Sequence, residues 1–247
     1  MRPLISSKLE NAQFLHGFST RLGGVSPSPF ESLDFALLRD PANLRENQRR
    51  FGAAIGIDPT RIFQTKQVHG PRVVEASGTP SDWVNEEADA LVARHGSGHA
   101  VGVRVADCVP VLLADTTTGD VAAVHAGWRG ITGRVIASAL GHLSSPSNMI
   151  AAIGPSIGPC CFEVSREVGD AISAASEGAD VFRTHPDPEK AYVNLRAAAR
   201  AQLVALGVPN SAIDDVPGCT RCDASLFYSY RRDGDHAGRL IGVIAAR

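Results

Sequence analysis

The sequence predicts a mixed α/β fold rather than a strictly parallel sheet. Segments rich in Val and Leu are interspersed with segments of helical period along the chain. At least one pair of predicted strands is joined by a short polar turn, which makes a hairpin and therefore an antiparallel pair. With 247 residues, of which 44% are apolar, the chain is long enough to bury a full core.

Local patterns place the elements along the chain. Residues 40–56 predict a helix that begins near a proline and ends at a glycine, and residues 195–206 predict another that is closed by Gly207. The remaining predictions are strands at 64–76, 88–94, 101–114, 121–126, 226–230 and 240–245, and helices at 131–143 and 163–176.

The most informative segment is the predicted hairpin of residues 101–126. Thr116 to Asp120 have turn composition, and folding the two apolar runs together brings Cys108 close to His125. Pro110 cannot donate to a sheet ladder, so the strand is expected to be edge-like or bulged just after Cys108. Bulges often re-aim a side chain beside an active site.

These residue types indicate a metal. A thiolate with two imidazoles, Cys108 and His125 with His69 of the upstream QVHG, forms a zinc shell whose fourth position is open to water, as in catalytic sites. The predicted hairpin brings together only Cys108 and His125. The position of His69 in the sequence does not show whether it is the third ligand. The competing interpretation is a buried free cysteine and an ordinary core histidine.

Seven segments together resemble the YfiH/YlmD family, which is also called the laccase-domain or multicopper polyphenol oxidoreductase family. In chain order they are HGFSTRLGGVS (16–26), QVHG (67–70), ADALV (88–92), ADCVPVLL (106–113), VHAGWRG (124–130), GPSIGPCCFEV (154–164) and FYSYRRDG (227–234). The resemblance covers nearly the whole chain, and its ADCVP and HAGWRG motifs are specific.

The resemblance implies an α+β fold, a sandwich of mixed sheets flanked by helices, similar to the catalytic domain of cytotoxic necrotizing factor toxins. It implies one catalytic domain over residues 1–247, with zinc held by His69, Cys108 and His125. It further implies phosphorolysis of adenosine, inosine and 5′-methylthioadenosine to free base and ribose 1-phosphate, with deamination of adenosine at the same site.

Two other functions remain as alternatives. A laccase-like polyphenol oxidase would use copper, but type 1 copper usually has an axial methionine, and the chain has only Met1 and Met149. Its eight histidines are also few for a multicopper enzyme. A cysteine hydrolase would use a Cys108–His125 dyad, which a metal bound to Cys108 would prevent. A zinc-stabilised interaction module fits poorly with an open coordination position.

Five further residues are candidates for the site. Arg129, between a strand and a helix start, and Arg21, in a glycine-rich loop, are expected to bind phosphate, and Tyr230 is expected to stack on a base. Asp107 and Glu163 are the candidate catalytic carboxylates, for general acid or base work. Asp107 would have to turn inward at the break before the proline.

Composition limits partners and location. A net charge of −2 without a basic run disfavours nucleic acid and anionic membranes, and no apolar segment approaches the length of a membrane span. The N-terminus lacks a signal-like apolar core, so we expect a cytoplasmic protein. As partners we expect a small-molecule nucleoside and phosphate, and the protein is expected to be a monomer or homodimer.

The other cysteines and one polar residue remain without a function. Five cysteines, an odd number, do not suggest a disulfide framework. Cys219 and Cys222 form a CxxC, but no second CxxC accompanies it, which disfavours a redox or metal role. Cys160 and Cys161 are expected to pack near the metal pocket. Asn194 departs from the aspartate expected in this family, and a structural hydrogen bond is its expected role.

Overall fold

Two mixed β-sheets stacked face to face form the centre of the computed structural model, which describes residues 2–247. The strands are β1 (His16–Phe18), β2 (Ile62–Phe63), β3 (Val73–Glu75), β4 (Ala90–Ala93), β5 (Ala100–Val105), β6 (Val109–Asp115), β7 (Val121–Ala126), β8 (Met149–Ile153), β9 (Glu163–Ser165), β10 (Phe182–Arg183), β11 (Lys190–Val193), β12 (Ile213–Asp215) and β13 (Leu240–Ala245). The α-helices are α1 (Ser7–Asn11), α2 (Pro41–Ile55), α3 (Trp128–Thr132), α4 (Val135–Leu140), α5 (Arg166–Ala174), α6 (Leu195–Ala205) and α7 (Tyr230–Asp233).

The larger sheet has six strands in the order β12-β8-β6-β7-β4-β3, and the smaller has four in the order β1-β13-β5-β2. Each contains both parallel and antiparallel pairs. Alternate side chains of β5, β6 and β7 meet between the sheets, where Val103, Leu112 and Ala123 are buried. A separate three-stranded sheet has the order β10-β11-β9.

Helices cover the outer face of each large sheet. The other face of the six-stranded sheet packs against α3, α4, α5 and α6, and the outer face of the four-stranded sheet packs against α2 through Phe51 and Ile55. The predicted α+β sandwich of mixed sheets flanked by helices is therefore confirmed. None of the helices in residues 2–247 has the length and apolarity needed to cross a bilayer.

The ends of two helices follow from their capping residues. In α2, the Asp40 carboxylate accepts from two backbone amides at the N-terminus, and Gly56 takes a left-handed φ of 74° at the C-terminus. Asn194 caps α6 in the same way, since its side chain accepts from Ala197 N at 3.1 Å. Asparagine and aspartate are equivalent caps, so Asn194 makes the hydrogen bond that the expected aspartate would make.

Six local predictions are corrected. Of the predicted strand at 64–76, only Val73–Glu75 forms a strand. The run 101–114 is two strands in different sheets, the predicted helix 131–143 breaks at Gly133 and Arg134, the first residues of 163–176 form β9, and no strand forms at 226–230. Pro110 lies in a central strand rather than at an edge, with β7 on one side and β8 on the other. It is tolerated because it is only the second residue of β6, before the pairing with β8 begins at Val111.

Candidate metal centre and its cavity

The chain crosses from one sheet to the other immediately before Cys108. β5 ends at Val105 in the four-stranded sheet, and β6 begins at Val109 in the six-stranded sheet. Asp107 stands in the crossover with a φ of 90°, an uncommon value for a residue with a side chain. Pro110 pairs with His125 across the hairpin, so Cys108 lies beside His125, as the sequence predicts.

Three candidate ligands converge at this crossover. The ligand atoms of His69, Cys108 and His125 all lie within 4.8 Å of one another. Cys108 Sγ is 3.9 Å from His69 Nε2, and the two imidazole rings meet edge to face with centroids 4.8 Å apart. The structure therefore places His69, the candidate third ligand that spacing alone left open, beside Cys108 and His125.

A buried carboxylate, Asp89, holds both histidines in place. Its Oδ1 lies 2.6 Å from His125 Nδ1 and accepts from His69 N at 2.9 Å, while Oδ2 accepts from Val68 N and Gly70 N, each at 2.9 Å. These bonds also stabilise the left-handed backbone of His69, whose φ is 63°. Asp89 has no exposed surface, and sequence reasoning assigned it no role although it lies in the ADALV motif.

The donor set and the space between the ligands suit a metal ion. Because Asp89 engages His125 Nδ1, the Nε2 atom is free to bind a metal, the arrangement usual for metal-bound histidines. Gly127 lies against the group, and a Cβ there would come within 3.0 Å of Cys108 Sγ and 3.1 Å of His69 Cδ2. Glycine at this position therefore prevents a side chain from crowding the ligands.

Electrostatics favour the thiolate that a metal requires. Burial by itself raises the pKa of Cys108, but the neighbouring His125 and His69 rings outweigh burial and lower this pKa to about 6. Burial likewise disfavours a charged His125, yet the Cys108 thiolate and Asp89 raise its pKa to about 9. Without a metal, Cys108 and His125 therefore form a thiolate–imidazolium pair near neutral pH.

The three ligands lie in the wall of a cavity of about 480 Å³, within the range of small-molecule sites. Its other lining residues include polar, cationic and aromatic side chains and come from several parts of the chain. They are Gln67, Arg104, Ala106, Asp107, Ile157, Phe162, Tyr230, Arg231 and Arg239. The cavity thus combines a metal-type ligand set with three guanidinium groups.

All three arginines donate to neutral acceptors rather than to carboxylates. Arg104 donates to the Gln64 amide oxygen and the Thr65 carbonyl, Arg239 donates to two backbone carbonyls, and Arg231 donates to the Glu163 carbonyl at 2.7 Å. Burial and the nearby Arg239 lower the pKa of Arg104 to about 10. The cavity therefore holds positive charge that an anionic ligand would neutralise.

Two of the five additional candidates line this cavity. Tyr230 is about half exposed, with the guanidinium of Arg239 6.0 Å from its ring centroid. Asp107 is buried, and its carboxylate accepts from Thr220 Oγ1 and from Arg231 N, each at 2.6 Å. Asp107 has thus turned inward, as its candidate role requires.

The other three candidates lie outside the cavity lining. Arg129 is exposed and stacks over the Trp128 ring, with its guanidinium carbon 4.3 Å from the ring centroid. Arg21 stacks over Tyr228 and donates to two backbone carbonyls. The Glu163 carboxylate pairs with Lys190 and His185, so only its carbonyl faces Arg231. Local structure engages the polar side-chain groups of Arg21 and Glu163, whereas the Arg129 guanidinium only stacks on Trp128.

Sequence reasoning did not identify Gln67, Arg104 or Arg239. The Gln67 side-chain amide donates to Arg104 O at 2.7 Å and accepts from Arg104 N at 2.8 Å, which joins the QVHG loop to β5. A charged residue inside the apolar run 101–105 was the available signal for Arg104. Arg239 has no such signal, because only the pairing of β13 with β5 brings it beside Arg104.

Comparison with known proteins decides the family. The family described as multi-copper polyphenol oxidoreductase laccase matches residues 15–247. The chain belongs to this family. Purine nucleoside phosphorylase YlmD of Geobacillus stearothermophilus is 34% identical over 94% of this chain and 89% of its own length.

Two further proteins are similar to this chain over most of its length. A protein named adenosine deaminase RL5, from an unknown prokaryotic organism, is 39% identical over 75% of both chains. The crystal structure of the hypothetical protein YfiH of Bacillus licheniformis superposes with a TM-score of 0.91 at 28% identity, covering 100% of this chain and 97% of that one. The resemblance to the YfiH/YlmD family is therefore confirmed.

Proposed function

We propose that this protein is a zinc-dependent purine nucleoside phosphorylase that also deaminates adenosine. One observation carries the proposal beyond the names of the relatives: a thiolate–imidazole ligand set and three arginines without carboxylate partners face one cavity. Phosphorolysis needs an anion site beside the sugar, and this charge provides it. The substrates would be adenosine, inosine and 5′-methylthioadenosine with phosphate, which yield free base and ribose 1-phosphate.

His69, Cys108 and His125 would hold the metal, with Asp89 fixing both histidines. When bound, zinc supplies a Lewis acid and a water of lowered pKa. Zinc is preferred to copper because Met149 is buried at the opposite end of β8 from the ligands and cannot serve as an axial ligand. Met1 lies outside the described residues.

The cavity residues divide into two groups by chemistry. Arg104, Arg231 and Arg239 would bind phosphate through charge-assisted hydrogen bonds and hold it against the sugar. Tyr230, with Phe162 on the same wall, would stack on the purine. This grouping extends the substrate-binding role predicted for Tyr230 and places phosphate on different arginines from Arg21 and Arg129.

Asp107 is the proposed proton-transfer group, because its carboxylate is the acidic group in the cavity lining. Its bonds to Thr220 and to the Arg231 backbone fix its orientation and leave lone pairs for substrate. Glu163 is less suited, since Lys190 and His185 already engage its carboxylate.

The remaining assignments rest on the sequence. We propose that residues 1–247 act as one catalytic domain, which is supported by contact between the N-terminal Ser6 and Asp214 at 2.7 Å. We also propose a cytoplasmic monomer or homodimer that acts on small molecules and not on nucleic acid or membranes.

A nucleoside assay tests the function. Metal-replete protein with adenosine and phosphate should release adenine and ribose 1-phosphate, and omission of phosphate should abolish adenine release but spare inosine formation. His125→Ala should impair both reactions if they share the centre. Failure of adenosine, inosine and 5′-methylthioadenosine alike would refute the proposal, and faster copper-dependent phenol oxidation would favour the oxidase.

A further inference from the structure

Four of the five cysteines meet on two loops outside the cavity lining. The sulfurs of Cys160, Cys161, Cys219 and Cys222 all lie within 4.8 Å of one another. Three of the six sulfur pairs are 3.6 Å (Cys160 and Cys219), 3.5 Å (Cys160 and Cys222) and 3.3 Å (Cys161 and Cys222) apart. These residues form the four-cysteine cluster, and Cys108 is not part of it.

The spacing of the four sulfurs suits one shared metal ion. Sulfurs about 2.3 Å from one tetrahedral metal ion lie about 3.8 Å apart. These three separations are slightly below this value, and every pair of sulfurs lies within 4.8 Å. A disulfide requires about 2.05 Å between sulfurs, and the structure leaves all four thiols unbridged. A polynuclear iron–sulfur cluster places several metals between its cysteines and needs wider spacing. One metal ion fits best.

We propose that the four-cysteine cluster is a second metal site, a closed tetrathiolate centre for a zinc-class ion. Soft thiolates in a tetrahedral set are the ligands that zinc takes in structural sites, where no position is left for water or substrate. The second pair of ligands comes from the vicinal Cys160–Cys161 rather than from another CxxC, which is why the Cys219–Cys222 motif looks isolated in the sequence.

Local backbone is arranged around these sulfurs. Gly158 N donates to Cys219 Sγ at 3.2 Å, a bond that stabilises a metal-bound thiolate. A Cβ on Gly158 would come within 3.2 Å of Cys160 Sγ and 3.3 Å of Cys219 Sγ, so glycine admits both sulfurs. Ser156 forms an isolated parallel bridge with Cys219. The 154–162 loop and the 218–223 loop are thereby joined in the geometry that a shared ion needs.

Both joined loops support the catalytic cavity. Ile157 and Phe162, on either side of the vicinal cysteines, line the cavity. Thr220, inside the CxxC, donates to Asp107 at 2.6 Å. A metal bound by the four cysteines would therefore fix the wall that carries Phe162 and the orientation of Asp107, and it would contact no substrate.

Metal counting tests this site independently of the phosphorylase proposal. Protein purified under reducing, anaerobic conditions should contain two metal ions per chain by mass spectrometry of the elements. Cys160→Ser/Cys222→Ser should retain one, and the matched Cys108→Ala should also retain one. Combining all three substitutions should leave none. One iron ion and one zinc ion per chain would also support the second site, with iron in place of zinc at one of the two sites.

Cobalt substitution gives a second readout on folded wild-type protein, which needs no variant to fold. Two equivalents of Co²⁺ should produce the intense sulfur-to-cobalt absorption of a tetrathiolate in addition to the weaker spectrum of a one-sulfur site. One ion per chain in wild-type protein, unchanged in Cys160→Ser/Cys222→Ser, would overturn the proposal. A disulfide between Cys161 and Cys222 in protein kept reduced throughout would overturn it as well.

Discussion

The His69–Cys108–His125 centre and the four-cysteine cluster bring metal-type ligands together in opposite ways. The first draws its ligands from a loop, a sheet crossover and a central strand, and faces a cavity of about 480 Å³. The second draws all four sulfurs from two loops and has no ligand in the cavity lining. Three ligands leave a coordination position for chemistry, whereas four sulfurs leave none.

The hydrogen-bond partners around the two groups of ligands also differ. Asp89, fully buried, orients His125 and the backbone of His69, which is the outer support that tunes a reactive metal. The four-cysteine cluster has a backbone amide donor to Cys219 and no carboxylate bonded to its sulfurs among residues 2–247. These surroundings support the proposed division, in which the first centre carries the reaction and the four-cysteine cluster holds two loops together.

The largest effect is expected from the first centre. Cys108→Ala should lower phosphorolysis more than about 100-fold, the size of loss typical when electrostatic stabilisation is removed from an active site. The measurement is kcat/KM for adenosine with phosphate at 25 °C. Cys222→Ser is the matched comparison. It should lower the melting temperature and should lower activity much less than Cys108→Ala, because it affects the cavity only through the positions of Phe162 and Asp107. Equal loss in both variants would erase the distinction between the sites.

The next largest effect concerns the buried support of the histidines. Asp89→Asn should weaken metal binding at the first centre about 10- to 100-fold, because a neutral amide polarises His125 less and cannot accept as many hydrogen bonds. Competition with a chromogenic chelator measures this affinity. Metal retained by the four-cysteine cluster should be unchanged in the same titration. Unaltered affinity at the first centre would contradict the role of Asp89.

A third prediction separates phosphate binding from the metal. Arg239→Gln should raise the KM for phosphate about 10- to 100-fold, since a charge-assisted hydrogen bond contributes about 1.5–3 kcal/mol. Deamination of adenosine, which needs no phosphate, should change little. Arg129→Ala is the control, because Arg129 is exposed over Trp128 and outside the cavity. A phosphate KM that responds to Arg129 instead would restore the sequence-based assignment.

The smallest effect is a pH dependence in metal-free protein. The pKa of Cys108 is lowered to about 6, so the reactive thiolate is present above that pH and is lost as the pH falls through it. Alkylation of Cys108 by iodoacetamide, followed by peptide mass spectrometry, should rise with pH and reach half its maximum near pH 6. His125→Ala should move this midpoint upward, because the imidazolium that stabilises the thiolate is gone. A midpoint near an ordinary thiol pKa in both proteins would contradict the paired charges.

Sequence patterns predicted the parts of the molecule that depend on neighbouring residues. The ends of α2, predicted near a proline and at Gly56, and the hairpin that brings Cys108 beside His125 are local features, and both are confirmed. The central position of Pro110 was not predictable, because it depends on β8, which arrives from more than 35 residues away.

The functional residues also differ in how far the sequence could predict them. Cys108 and the two histidines could be predicted because thiol and imidazole groups are typical metal ligands. Asp89 could not be predicted, because only its four hydrogen bonds in the folded structure distinguish it from the other aspartates. The vicinal Cys160–Cys161 and the distant CxxC become one group only when Ser156 pairs with Cys219. Arg129 and Arg21 were reasonable anion ligands by sequence context, but aromatic faces hold their guanidinium groups elsewhere.

The most direct test of the two-centre account is anomalous diffraction from crystals grown without added metal and measured across the zinc absorption edge. The account predicts two peaks per chain. One should lie among His69, Cys108 and His125 with a non-protein ligand on the cavity side, and the other should be enclosed by the four cysteines. A single peak, or a second peak with an open coordination position at the four cysteines, would contradict it.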